Sequence, residues 1–146
     1  MKSADIKGLL EALKMNYQFL KESKIFITTF NAEEISISVG IYTNDAEDIL
    51  RVFVPRLLIL PKRKQKQYLE RILEINYLIE YGAFGVSSDK TGKMHLSYSF
   101  ALNLKRKDPV VTPEELKVYL DYIAFKCLST VRELILLRED SLIDGK

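Results

Sequence analysis

The chain of 146 residues contains little of what disulfides, metal sites and membrane spans require. Its single cysteine, Cys127, excludes an internal disulfide, and with the single histidine, His95, it supplies too few ligands for a zinc site. No apolar run approaches the roughly 18 residues of a membrane span. Charges interrupt the apolar N-terminal stretch, which argues against a signal peptide. We therefore expect a cytoplasmic protein.

Motifs for catalysis or cofactor binding are also missing. No glycine-rich phosphate loop is present, and the acidic residues are scattered along the chain. The sequence places no evident acidic partner beside His95, whereas catalysis by a nucleophile and a base needs several groups in mutual reach. Cys127 lies in an apolar helix, where a small buried side chain is the ordinary interpretation. We predict that the protein is not an enzyme and has no catalytic residue, cofactor or metal.

The composition is typical of a globular protein, with 47% hydrophobic and 29% charged residues. Its length fits a single domain over residues 1–146. A formal net charge of +2 is close to balance, so it neither requires nor excludes a nucleic-acid partner.

The first half of the chain is predicted to contain a helix and three strands. Apolar residues at three- and four-residue spacing predict a helix over 3–22. Strands are predicted at 24–30, 35–42 and 49–54, and the second of these alternates strictly between apolar and small polar residues. Pro55 then indicates a strand end or an edge strand.

The second half is predicted to contain two helices and a hairpin. One helix begins at Pro61 and ends at Tyr81–Gly82, and strands at 83–88 and 93–102 follow, joined by a short turn ending in glycine. A long final helix runs over about 113–138, with Thr112 as its N-cap. The order α-βββ-α-ββ-α predicts an α+β fold, an antiparallel sheet with helices packed on it.

Two features of this half leave alternatives open. Asn76 lies among apolar residues of the middle helix, where it makes either a structural hydrogen bond or a recognition contact. Alternation in the last strand places His95, Ser97 and Ser99 on the face opposite the apolar residues. That small-residue face is either hydrated or the seat of a second subunit or an extended peptide.

Two basic runs also have two interpretations. They are the possible anion patch of the sequence, made of Lys62, Arg63, Lys64, Lys66, Lys105, Arg106 and Lys107. The ordinary interpretation is a pair of solvated charge runs, and the alternative is a site for an acidic protein or a nucleic acid. Aromatic residues do not alternate with either run, which argues against a surface for stacking single strands.

The segment NYLIEYGAFGVSSDKTGKMHLSYSFAL, followed by a polar loop and a long helix, resembles the YbjN family and the wider type III secretion chaperone-like fold. The resemblance implies a homodimer that acts as a regulator or as a chaperone-like binder of other proteins, with the partner unidentified. It places the dimer or partner contact at Ile72, Ile75, Asn76, Ile79, His95, Ser97 and Ser99. The alternative is a nucleic-acid-associated protein that uses the basic runs 62–66 and 105–107.

Overall fold

A computed structural model describes residues 1–32, 35–105 and 111–143. The helices are α1 (Ser3–Ala12), α2 (Gln65–Leu78) and α3 (Pro113–Ile143). The strands are β1 (Gln18–Leu20), β2 (Ile25–Ala32), β3 (Ile35–Thr43), β4 (Ile49–Leu60), β5 (Ala83–Ser88) and β6 (Met94–Asn103). The predicted α+β fold is confirmed, with one short strand, β1, more than expected.

The six strands form one antiparallel sheet in the order β1-β2-β3-β4-β6-β5. Alternation divides its residues between two faces. The apolar face, with Val39, Val52 and Tyr98, is buried, and α1 and α3 contact β3 while α2 contacts β5. The core therefore lies between this face and the helices, and no described helix covers the second face of the sheet, which we call the open face.

The predicted helix over residues 3–22 is wrong after Ala12. Lys14 adopts a φ of 55°, and Phe19 lies in β1, with its ring 4.6 Å from the ring of Phe26 on β2. Tyr17 and Leu20 have a helical spacing of three residues, but Tyr17 and Phe19 also fit the two-residue alternation of a strand, and pairing with β2 decided the outcome.

The middle of the chain is also more extended than predicted. β4 continues through Pro55 to Leu60, with a register shift between Val54 and Leu58 that accommodates a residue lacking an N–H. The longer strand delays α2, which begins at Gln65 rather than at Pro61. It ends at Leu78, before the predicted stop at Tyr81–Gly82.

The final helix follows its sequence signals closely at its start. Thr112 Oγ1 accepts a hydrogen bond from the Glu115 N–H at 3.1 Å, which confirms the predicted N-cap. Val131 and Leu134, towards the C-terminal part of this helix, are buried, so that part also packs on the core. Cys127 is buried as predicted, and burial raises the pKa of its thiol to about 12. Within the described residues, no helix is long and apolar enough to cross a membrane.

Candidate interaction surfaces

Asn76 connects α2 to the edge of the sheet. Its Nδ2 donates to the Phe84 carbonyl at 2.9 Å, and the Phe84 N–H donates to its Oδ1 at 2.8 Å. The N–H and C=O groups of one residue in an antiparallel strand point to the same side, so both backbone groups of Phe84 point away from β6. The Asn76 amide therefore pairs with the outer edge of β5. Of the two interpretations that the sequence left open, the structural hydrogen bond is the one observed.

The other α2 residues of the predicted contact lie inside the molecule or at its margin. Ile72 and Ile75 belong to the core, and Ile79 is half-buried against it. Apolar spacing in the sequence predicts a broad inward stripe on this helix, made of Tyr68, Leu69, Ile72, Leu73, Ile75, Asn76 and Ile79. Leu69 and Leu73 are exposed instead. The inward stripe is therefore narrower than predicted.

Four apolar side chains form an exposed stripe on α2, which we call the apolar stripe: Leu69, Leu73, Tyr77 and Leu78. Leu73, Tyr77 and Leu78 are 68%, 88% and 76% exposed. Large apolar side chains grouped on one surface are uncommon unless something covers them. Sequence periodicity had assigned two of these side chains, Leu69 and Leu73, to the inward side of the helix.

A groove of about 690 Å³ lies between α2 and α3 beside the apolar stripe. Its charged lining contains two cations, Arg71 and Lys126, and two carboxylates, Glu74 and Glu133. Arg71 Nε donates to Glu133 Oε1 at 2.6 Å, and Arg71 Nη1 donates to Glu74 Oε2 at 2.6 Å. The pair with Glu133 joins α2 to α3, the pair with Glu74 lies within α2, and both raise the pKa of Arg71.

The open face of the sheet carries small polar residues, as predicted, and Ser97 and Ser99 are half-exposed there. The Phe53 ring covers Gly40, where a Cβ atom would overlap the ring. Arg51 Nη1 donates to Ser99 Oγ at 3.5 Å. None of the six strands contains an aspartate or a glutamate, so the open face is neutral to weakly basic.

His95 has an acidic partner that the sequence did not reveal. Its Nε2 lies 2.9 Å from Asp89 Oδ2, and the His95 side chain is only 10% exposed. Asp89 Oδ1 accepts hydrogen bonds from Thr91 Oγ1 and the Thr91 and Lys93 N–H groups. Thr91 and then His95 hold the pKa of Asp89 well below its usual range. The aspartate that opens the hairpin turn was the available signal for this pair.

The His95–Asp89 pair borders a cleft of about 510 Å³ that is lined by His95, Arg56, Leu57, Leu58 and Ile59. A base and an orienting carboxylate are two of the three groups that nucleophilic catalysis requires. Among the described residues, Asp89 is the group to which His95 is hydrogen-bonded, and no nucleophile bonds to it. The described residues also contain no cluster of three or more His, Cys, Asp or Glu side chains suited to a metal ion.

The two basic runs lie at opposite ends of the sheet. Lys62 follows Leu60, which pairs with Met94 at the start of β6, whereas Lys105 follows Asn103 at its end. The ten residues of β6 span roughly 30 Å between them. Lys105 Nζ lies 3.3 Å from Asp48 Oδ2, while Arg106 and Lys107 are outside the described residues.

The fold brings other cations to the first run instead. Lys93 precedes Met94 and therefore lies next to the chain leaving β4, and Lys90 is in the same β5–β6 turn. The side chain of Gln65 at the start of α2 contacts the Met94 sulfur, which places the first turn of α2 there too. We call this group the basic end: Lys62, Arg63, Lys64, Lys66, Lys90 and Lys93.

No protein-family model matches the chain, and no curated protein matches its sequence. Among solved structures, it is similar to the crystal structure of YbjN from E. coli, a protein described as a proposed transcription regulator. The TM-score is 0.67, and the match covers 92% of each chain at 10% sequence identity. This likeness confirms the YbjN-like fold that the sequence suggested.

Proposed function

We propose that this chain is a non-enzymatic protein-binding module, chaperone-like or regulatory, that acts as a homodimer. The observation that supports this proposal is the apolar stripe, whose side chains are mostly exposed although they are as hydrophobic as core residues. The fold is similar to that of a protein described as a proposed transcription regulator, which agrees with a regulatory binding role. The cytoplasmic location stays a prediction from the sequence.

The charges beside the apolar stripe favour a second copy of the chain as its partner. In a two-fold symmetric dimer the same patch lies on both sides of the interface, so it must be complementary to itself. The groove offers Arg71 and Lys126 together with Glu74 and Glu133, two charges of each sign. A groove with equal numbers of positive and negative side chains can face its own copy without net electrostatic repulsion.

The residues predicted as contacts take different parts in this proposal. Ile72, Ile75 and Asn76 set the position of α2 on the core and on β5, and the exposed neighbours on that helix meet the partner. Ser97 and Ser99 remain the predicted contact of the open face, whereas His95, which was predicted with them, is buried. That face is a separate surface, because α2 packs on the other side of the sheet.

Analytical ultracentrifugation over a range of concentrations tests the homodimer. We expect the wild type to dimerise and the double variant L73E/Y77E to be monomeric, because two carboxylates would have to be buried in the contact. The matched control is V118E/F125E, which places the same charges at positions on α3 that are 59% and 69% exposed. Circular dichroism verifies that both variants are folded.

The same measurement can contradict each part of the proposal. A wild type that is monomeric at every concentration refutes the homodimer. A dimer that V118E/F125E disrupts and L73E/Y77E leaves intact places the contact on α3 rather than on the apolar stripe.

A further inference from the structure

The basic end collects cations from three separate segments of the chain. Lys62, Arg63 and Lys64 come from the loop after β4, Lys66 from the first turn of α2, and Lys90 and Lys93 from the β5–β6 turn. Arg63 has a further interaction within the chain, so the argument rests on the five lysines. Four of these lysines are exposed, and Lys64 is partly exposed. Their charges thus act together on one end of the molecule.

The two carboxylates nearest to these lysines in the chain, Asp89 and Glu70, offset only part of this charge. Asp89 lies beside His95 and accepts hydrogen bonds from the Thr91 and Lys93 N–H groups, and as a carboxylate it offsets one positive charge. Glu70 lies 3.9 Å from Lys66, but the Lys66 side chain is 90% exposed, and exposed pairs are weak. A net positive potential is therefore left at the basic end.

A surface of one sign does not fit a second copy of itself, because like charges would meet across a two-fold axis. It fits a polyanion. Single-stranded nucleic acids bind largely by stacking on exposed aromatic rings. Tyr68, the aromatic residue in the first turns of α2, is buried. Contacts to phosphates need no stacking, and they are the main contacts of proteins that bind duplexes without reading sequence.

We propose that the basic end binds the phosphate backbone of duplex nucleic acid through Lys62, Lys64, Lys66, Lys90 and Lys93, without sequence preference. The binding releases counterions, so the logarithm of the association constant falls linearly with the logarithm of the salt concentration. Five lysine–phosphate contacts would give a slope of up to about −4.5 on duplex DNA.

Fluorescence anisotropy tests this with two labelled DNA duplexes of unrelated sequence over a series of sodium chloride concentrations. The wild type is expected to bind both alike, with the steep slope given above. The triple variant K62Q/K90Q/K93Q is expected to lose about three units of slope, and about tenfold in affinity for each lysine near 0.1 M salt. The single variants K62Q and K93Q each lose about one unit.

The matched control is K7Q/K14Q/K21Q, which removes the same net charge from exposed lysines of α1 and the segments that follow it. It is expected to keep the wild-type slope. Equal losses in both triple variants, or a wild type whose binding does not depend on salt, would overturn the proposal. Tighter binding to a labelled single strand of the same sequence, or to polyglutamate, would overturn it as well. The dimer variant L73E/Y77E leaves all five lysines in place, so the two proposals can fail separately.

Discussion

Replacing Asn76 with alanine removes both hydrogen bonds that join α2 to Phe84 at the edge of the sheet. A neutral hydrogen bond contributes about 0.5–1.5 kcal/mol net, so the pair contributes about 1–3 kcal/mol. Alanine is the better helix former by roughly 0.5 kcal/mol, which offsets part of the loss. We expect the free energy of unfolding to fall by about 0.5–2.5 kcal/mol. Because Asn76 is half-buried and water replaces part of the bonding, the lower half of that range is expected.

The same substitution also exposes an edge. Val86 and Ser88 point their backbone groups to the same side as Phe84, because orientation alternates along an antiparallel strand. Without Asn76, the N–H and C=O groups of Phe84, Val86 and Ser88 are all available to another strand. Open strand edges of this kind promote association. We therefore expect N76A to associate in a concentration-dependent manner more than the wild type does.

Urea unfolding followed by circular dichroism measures the loss, and light scattering measures the association. Gln67→Ala is the matched control, since Gln67 is an exposed residue of the same helix. Asn76→Asp keeps the acceptor for the Phe84 N–H but turns a carboxylate oxygen towards the Phe84 carbonyl, so it should destabilise at least as much. A midpoint for N76A equal to that of Q67A, with an equal slope, would refute the reasoning.

Three further predictions concern other sites. Gly82→Ala should lower the free energy of unfolding by more than about 1 kcal/mol, because Gly82 has a φ of 73° and a Cβ would overlap the Ser99 carbonyl oxygen. Gly8 has open space around it, so Gly8→Ala should raise the free energy of unfolding by about 0.5–1 kcal/mol in the same urea assay. Asp89 has a lowered pKa, so its stabilisation is present above about pH 4 and is lost in stronger acid; melting temperatures between pH 7 and pH 2 should fall less steeply for Asp89→Asn. The Cys127 thiol should react with a thiol reagent at pH 8 only after unfolding in urea.

Each of these three can be contradicted by its own measurement. Equal effects of alanine at Gly82 and Gly8 would show that backbone conformation does not decide the difference. Parallel melting curves for Asp89→Asn and the wild type would show that the carboxylate contributes nothing in acid. Rapid modification of native Cys127 would show that it is not shielded.

The elements that the sequence predicted well are those whose signals are local. Thr112 and Glu115 mark the start of α3 through a bond that spans three residues, and alternation in β6 needs only neighbouring positions. The elements that it predicted poorly depend on distant partners. Residues 18–20 form a strand because β2 lies beside them, and β4 passes Pro55 because its pairing with β6 resumes at Leu58.

The candidate surfaces were harder to predict for the same reason. Periodicity assigned Leu73 to the inward stripe of α2, but burial depends on where α3 and β5 lie relative to that helix. The sequence paired the run 62–66 with 105–107 because both are basic, whereas the pairing of Leu60 with Met94 brings Lys93 to the first run. Charge along a chain identifies cations, and only the strand register identifies which of them share a surface.

The near-neutral net charge of +2 conceals a strong separation of charge on the folded chain. The strands contain no carboxylate, the α2–α3 groove has two charges of each sign, and the basic end has six cations. A mixed patch can pair with its own copy, whereas a patch of one sign repels its copy and attracts a polyanion. α2 carries part of both surfaces, with Lys66 in its first turn and Tyr77 near its end, about 16 Å apart along the helix axis. The apolar stripe begins at Leu69, however, only about 4.5 Å from Lys66 along that axis. Lys62, Lys64, Lys90 and Lys93 lie outside α2, so the two proposed contacts adjoin at Lys66 and are otherwise formed by different segments of the molecule.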